Sequence, residues 1–118
     1  MFDEVTKINL LYDFYGQLLA ARQSQVMDLY YGENLSLSEI AGELGISRQG
    51  VHDALKNAEK ALLGYEEKLG LVSRFEKTRQ VVEDIDGLID EIVGAGDTDE
   101  TTKKKLLKVK AIIDGLEE

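Results

Sequence analysis

No cysteine, proline or tryptophan occurs among the 118 residues, and a single histidine stands at position 52. Without cysteine there is no disulfide, no thiolate nucleophile and no zinc finger of the cysteine type, a usage that fits a reducing interior. Without proline, and with Leu, Ala, Glu and Lys plentiful, little in the chain opposes helix. Apolar runs are short: none approaches the ~20 residues needed to cross a bilayer, so no membrane insertion is expected. The leading MFDEVTK has acids where a signal peptide would carry bases, and the expected compartment is cytoplasmic. Catalytic apparatus is missing as well. There is no glycine-rich phosphate loop and no nucleophile paired with a base, so we expect no enzyme, no catalytic residue, no metal and no cofactor.

Positive charge is scarce: 14 Lys and Arg stand against 23 Asp and Glu, for a net charge of −9. The excess is uneven. Residues 1–32 hold four acids and two bases, 33–64 five and three, and 65–118 fourteen and nine. Acidity of this kind weakens the nonspecific attraction to phosphate that supplies much nucleic-acid affinity. The composition, 43% hydrophobic and 31% charged, is that of a globular chain, and this length suits a single domain with one core.

Apolar spacing organises the chain into about six helices. Val5, Ile8, Leu11, Tyr12, Tyr15, Leu18 and Leu19 recur at threes and fours and predict a helix over 2–19. A second, over about 21–31, is expected to stop at Gly32 in a left-handed conformation. Ser36 with Glu39 forms a capping box for a short third helix that directs Ile40 and Leu44 inward and breaks at Gly45. Ile46 should plug the space beneath the turn. Ser47 then caps a fourth helix whose buried face is Val51, Ala54, Leu55, Ala58 and Leu62. Two helices joined by a short glycine turn, the second with a polar outer face, make a helix-turn-helix pattern.

Beyond Gly64 the periodicity changes. Leu71, Phe75, Thr78, Val82, Ile85, Ile89 and Ile92 alternate steps of four and three, a seam about three heptads long on a helix over 72–93. GAGDTDE (94–100) reads as a turn in which Asp97 with Glu100 caps a last helix, and so short a loop favours an antiparallel hairpin. Lysines 103, 104, 105, 108 and 110 can then face acids 83, 84, 86, 90 and 91. The fragment DIDG within EDIDGLIDE is the only hint of a calcium loop, and the helical stripe through Ile85 and Leu88 contradicts it. The seam (Leu71, Phe75, Val82, Ile85, Ile89, Ile92) serves as internal packing, as a homodimer interface, or as both.

Residues 18–63, LLAARQSQVMDLYYGENLSLSEIAGELGISRQGVHDALKNAEKALL, resemble region 4 of bacterial sigma factors. With YEEKLGLVSRF (65–75) added, the whole chain is similar to the YlxM family of small bacterial proteins. The resemblance implies an all-α fold, a sigma region 4-like helix-turn-helix of winged-helix-class DNA-binding topology without a wing, followed by a C-terminal antiparallel helical hairpin. It also implies a link to the signal recognition particle, beside whose genes those of the family lie, and a DNA-binding or regulatory role. Two departures stand out. Ala20 occupies a position where Ser or Thr often caps the second helix, and Gly50 and His52 match positions that are arginine-rich in the sigma factors.

The expected organisation is one helical domain over 1–118, with the helix-turn-helix in 1–64 and a dimerising hairpin in 65–118. Near the start of the fourth helix Arg48 can reach a guanine edge or a phosphate and Gln49 can pair with adenine. Ser47 anchors that start, and His52 and Lys56 complete the expected nucleic-acid-binding set. Partners are therefore DNA or RNA, signal recognition particle components by resemblance, and a second copy. The alternative is a protein-protein interaction module that binds the particle or its GTPase without reading DNA, since Gly50 offers no side chain and Asp53 would face phosphate unfavourably.

Overall fold

The structure, a computed structural model, describes residues 3–117. Six α-helices account for most of them: α1 Glu4–Tyr15, α2 Ala21–Met27, α3 Leu37–Leu44, α4 Arg48–Leu69, α5 Leu71–Gly94 and α6 Glu100–Asp114. There is no strand among the described residues. The chain divides into two compact units, residues 1–72 and 73–118.

In the first unit α4 is the hub, packed by α1, α2 and α3. Its buried residues Val51, Leu55, Ala58 and Leu62 alternate steps of four and three, so they form one stripe along the helix. They meet Ile8, Leu11 and Tyr15 of α1, Val26 and Met27 of α2, and Ile40 of α3 in a continuous core. Ala54 lies at the edge of that stripe, half-buried.

The first helix is shorter than its periodicity predicts, and position 2 lies outside the described residues. Asp3 caps its start by accepting from the Thr6 amide at 2.7 Å. At Tyr15 the α-helix gives way to a 3-10 turn over Gly16–Leu18, and Leu19 is extended. The cause is tertiary. The Tyr12 hydroxyl donates to Asp28 Oδ1 at 2.6 Å and to the Ser24 carbonyl at 3.2 Å, and the Ser24 hydroxyl donates to the Gly16 carbonyl. A Cβ on Gly16 would lie 2.8 Å from the pinned Tyr12 ring. Gly16→Ala is therefore expected to cost about 1–3 kcal/mol through overpacking, read as a lowered urea midpoint. An unchanged midpoint would show that the ring is not held.

The end of α2 also departs from expectation. The helix passes through a π-turn over Asp28–Gly32, and the left-handed residue is Asn34 (φ 59°), not Gly32. The Glu33 and Leu35 amides bond back to the Asp28 and Leu29 carbonyls, which places the reversal two residues later. Asparagine tolerates this conformation better than most residues. Ala20, lacking a capping hydroxyl, leaves half a capping box: the Gln23 side chain accepts from the Ala20 amide.

At Gly64, where the sequence suggests a boundary, α4 continues for another turn and a half to Leu69. The helix ends instead at Gly70 (φ 64°), and α5 begins at the next residue. Tyr15, 1% exposed, sits under this junction. Its hydroxyl donates to Glu66 Oε1 at 2.6 Å and accepts from the Leu71 amide at 3.0 Å, while Glu66 Oε1 also accepts from the Val72 amide at 3.0 Å. Two free amides of the new helix are thus satisfied by side chains from α1 and α4.

The second unit contains the rest of α5 and α6. Asp90 pairs with Lys110 at 2.8 Å, and the Asp86 carboxyl meets that of Asp114, so the two helices run antiparallel. The Asp114 carboxyl beside it, with burial, holds the Asp86 carboxyl above the usual carboxylate range. Among the described residues Lys110 is the lysine of α6 that pairs with α5; Lys103, Lys104, Lys105 and Lys108 make no such pair. The cap of α6 is Asp99, which accepts from the Thr102 amide at 2.7 Å, and not Asp97 with Glu100. Gly96 (φ 77°) and the Thr98 hydroxyl, bonded to the Ile92 carbonyl, turn the chain so that Asp99 arrives at the helix start.

The seam is partly as the sequence predicts. Val82 and Ile89 are buried and Phe75, Thr78 and Ile85 half-buried. Its two ends differ: Leu71 is 40% and Ile92 46% exposed, while Val72 belongs to the first unit's core and Val93 is half-buried. Residues 84–87, the calcium-like fragment, are helical. No helix of the described residues is long and apolar enough to cross a membrane.

Candidate nucleic-acid interface

The turn between α3 and α4 is built as its residues dictate. Ser36 accepts from the Glu39 amide, and Glu39 accepts from the Ser36 amide, which completes the capping box. The Ser36 amide and hydroxyl bonds hold the Glu39 carboxyl below the usual range. Gly45 (φ 68°) ends α3, and both its own amide and that of Ile46 return to the Ala41 carbonyl. Ile46 packs against the core from beneath the turn. Ser47 then caps α4, its Oγ accepting from the Gly50 amide at 2.9 Å. A Cβ on Gly50 would lie 3.2 Å from that oxygen, so the glycine leaves room for the cap.

The polar face of α4 carries the expected side chains, all exposed, but they do not act as one group. The Ser47 hydroxyl is committed to its cap. Gln49 Nε2 donates to Asp53 Oδ1 at 2.9 Å, and His52 Nδ1 lies 3.5 Å from the same oxygen, an ion pair only when the imidazole is protonated. Asp53 thus gathers Gln49 and His52. Lys56 lies 3.7 Å from Glu59, which accepts from the Tyr31 hydroxyl at 2.7 Å. Burial and the Glu59 carboxylate push the Tyr31 phenol above its ordinary range. Arg48, among the described residues, has no hydrogen bond or ion pair of its side chain. It occupies the first position of α4, beside amides that the helix leaves unbonded and at the positive end of the helix dipole.

His52 and Lys56 are also separated from Arg48 by what they line. Together with Tyr30, Tyr31, Leu37 and Glu59 they border an open cleft of about 480 Å³. Sequence reasoning missed Lys60, exposed one turn beyond Lys56 on the same helix, although its i+4 spacing marks it. It missed Tyr30 as well, which is 37% exposed and stands edge-on to Tyr31 with ring centroids 5.0 Å apart. No pattern in a single sequence distinguishes that ring from core.

A glycine-broken turn, a serine-capped helix with its apolar stripe inward, and a polar face outward define a helix-turn-helix protein. The chain belongs to the UPF0122 family, described as "Putative helix-turn-helix protein, YlxM / p13 like", which matches residues 2–107. Among its relatives are the UPF0122 proteins of Desulforamulus reducens, 53% identical over 87 residues and 74% of each chain, and of Halalkalibacterium halodurans, 37% identical over 117 residues, 99% of this chain and all of the other. That of Caldanaerobacter subterraneus subsp. tengcongensis is 49% identical over 85 residues, 72% of this chain and 73% of its own.

Proposed function

We propose that this protein is a nucleic-acid-binding regulator that engages DNA or RNA with the N-terminal end of α4. The observation that carries the reading is Arg48. Among the described residues it is the one member of the expected set whose charge has no partner, and it stands where a recognition helix first enters a groove. Lys56 adds a second phosphate contact and Gln49 a base contact once it leaves Asp53. Homodimerisation brings two such helices into one particle, which raises affinity beyond what one near-neutral helix supplies.

With about two phosphate contacts per copy, log K against log salt should fall with a slope near −2 for each bound copy. Fluorescence anisotropy at low salt, using ligands selected from random DNA and RNA pools, checks this. Arg48→Ala should reduce the slope by about 1, and Arg48→Ala with Lys56→Ala should abolish measurable binding. Binding untouched by the double substitution removes the mechanism.

A second reading is favoured by Asp53, which holds Gln49 and His52 and places a carboxylate in the middle of the outer face. On this reading α4 presents a protein surface, and the resemblance to the YlxM family directs it to the signal recognition particle or its GTPase. Calorimetry against the particle protein, with and without its RNA, tests it; no heat of binding at tens of micromolar would end it.

A further inference from the structure

The seam of Val82 and Ile89 is occupied inside the second unit, which leaves a neighbouring line on α5 without a partner. Arg74, Lys77, Val81, Asp84, Leu88 and Glu91 alternate steps of three and four and therefore share one stripe. All six are exposed, with Val81 at 54% and Leu88 at 59%. Such a spacing with two large apolar side chains facing solvent is that of a contact helix, not of a solvated one.

Three features say what covers it. The first is shape: Asp84, Gly87, Leu88 and Glu91 border a shallow groove of about 440 Å³, and nothing lies within 4 Å of a Cβ built on Gly87. Residues at i, i+3, i+4 and i+7 form the hole that receives a knob in helix pairing. The second is charge. Along the stripe the bases Arg74 and Lys77 lie at one end, and the acids Asp84 and Glu91 in the middle and at the other. Among the described residues neither base nor Glu91 has an ion pair within the chain. The third is register. An antiparallel copy that sets Val81 into the hole beside Leu88 brings Lys77 level with Glu91 of the other copy, twice over by symmetry. A parallel copy would set lysine against lysine and glutamate against glutamate.

We infer that a second copy of this chain covers the stripe, its α5 antiparallel, with Val81 and Leu88 as mutual knobs and Lys77–Glu91 as the flanking pairs. This rests on the dimer reading above and locates it on a face other than the seam. One contact opposes it: Asp84 of each copy meets its mate at the two-fold axis, where Gln80 draws each aside through a 2.9 Å hydrogen bond from Nε2 to Asp84 Oδ1. So short a contact lies at the small end of stable interfaces, and a dissociation constant on the order of tens of micromolar is expected.

Sedimentation equilibrium of the full chain from low to high micromolar concentration tests the proposal. Wild type should associate, and Leu88→Asp, with helix content preserved by circular dichroism, should be monomeric. Lys77→Glu should weaken association by about tenfold and Lys77→Glu with Glu91→Lys should restore it, whereas Asp84→Asn should tighten it several-fold. Ile112→Asp, on the exposed side of α6, should behave as wild type. A wild type that stays monomeric overturns both the dimer and this face. A wild type that dimerises while Leu88→Asp dimerises equally, or while the charge swap fails to restore Lys77→Glu, overturns this face alone.

Discussion

Ile40→Ala should lower the unfolding free energy by about 2–5 kcal/mol, and Ile40→Val by about 0.5–1.5. Ile40 is fully buried, and it is the only buried side chain of α3. A helix of eight residues is too short to persist without tertiary support. The capping box and the Gly45 turn organise its ends, but docking against α4 depends on this one side chain, flanked by half-buried Leu37, Ala41 and Leu44. A loss of that size is a large fraction of the ~5–15 kcal/mol typical of a domain. Urea unfolding followed by circular dichroism measures it. A shift below about 1 kcal/mol for the alanine would mean that the half-buried residues, and not Ile40, hold α3.

Tyr15→Ala should cost about 3–5 kcal/mol, and Tyr15→Phe about 1–3. Phenylalanine keeps the ring and its tilted contact with Tyr65, whose centroid lies 6.0 Å away. What it removes is the hydroxyl, leaving the Leu71 amide without its acceptor and Glu66 without its phenolic donor. Glu66→Ala should be non-additive with Tyr15→Phe by about 1 kcal/mol or more, because both changes dismantle one junction. Alkaline titration adds an independent check. Burial, then the hydrogen bond to Glu66, raise the Tyr15 phenol above its ordinary value; burial and Asp28 do the same for Tyr12, and burial and Glu59 for Tyr31. The folded state therefore holds these protons more tightly than the unfolded one. Their contribution to stability is full below the ordinary tyrosine value of about 10 and is lost as pH rises through the folded values. Tyr15→Phe should flatten that decline; an unchanged slope would remove Tyr15 from it.

Much of the helix-turn-helix was legible because its signals are local. Ser36, Glu39, Gly45 and Ser47 act on backbone groups within four residues of themselves, and the stripe Val51, Leu55, Ala58, Leu62 is a periodicity any window reveals. The misplaced boundaries depend on contacts distant in sequence. Gly64 looks like a helix end, yet a glycine inside a helix costs only about 1 kcal/mol. The bonds of Tyr15 with Glu66 and of Tyr65 with the Leu18 carbonyl, each spanning some fifty residues, carry α4 past it. Gly16 reads as an ordinary helical residue until Tyr12 is seen to be pinned by α2. Asp99 outcompetes Asp97 as a cap because Gly96 and Thr98 set the chain's direction first.

The site was legible to the same degree. The positions of Arg48, Gln49, His52 and Lys56 on an exposed face follow from helix geometry. That Asp53 occupies Gln49 and His52 and that Glu59 stands by Lys56 does not, because side-chain pairing at i+1, i+3 and i+4 has several equal choices in sequence. The acidic composition acquires a local meaning from these pairs. Carboxylates stand beside Gln49, His52 and Lys56, whereas among the described residues Arg48 at the helix start and Lys60 farther along have no such partner.

Backbone amide NMR of the full chain reads the contact at Arg48 residue by residue. On titration with ligands selected from random DNA and RNA pools, at low salt, shifts should concentrate on residues 47–52 and vanish in Arg48→Ala. Saturable binding whose shifts leave the start of α4 untouched, or persist unchanged in Arg48→Ala, would contradict it.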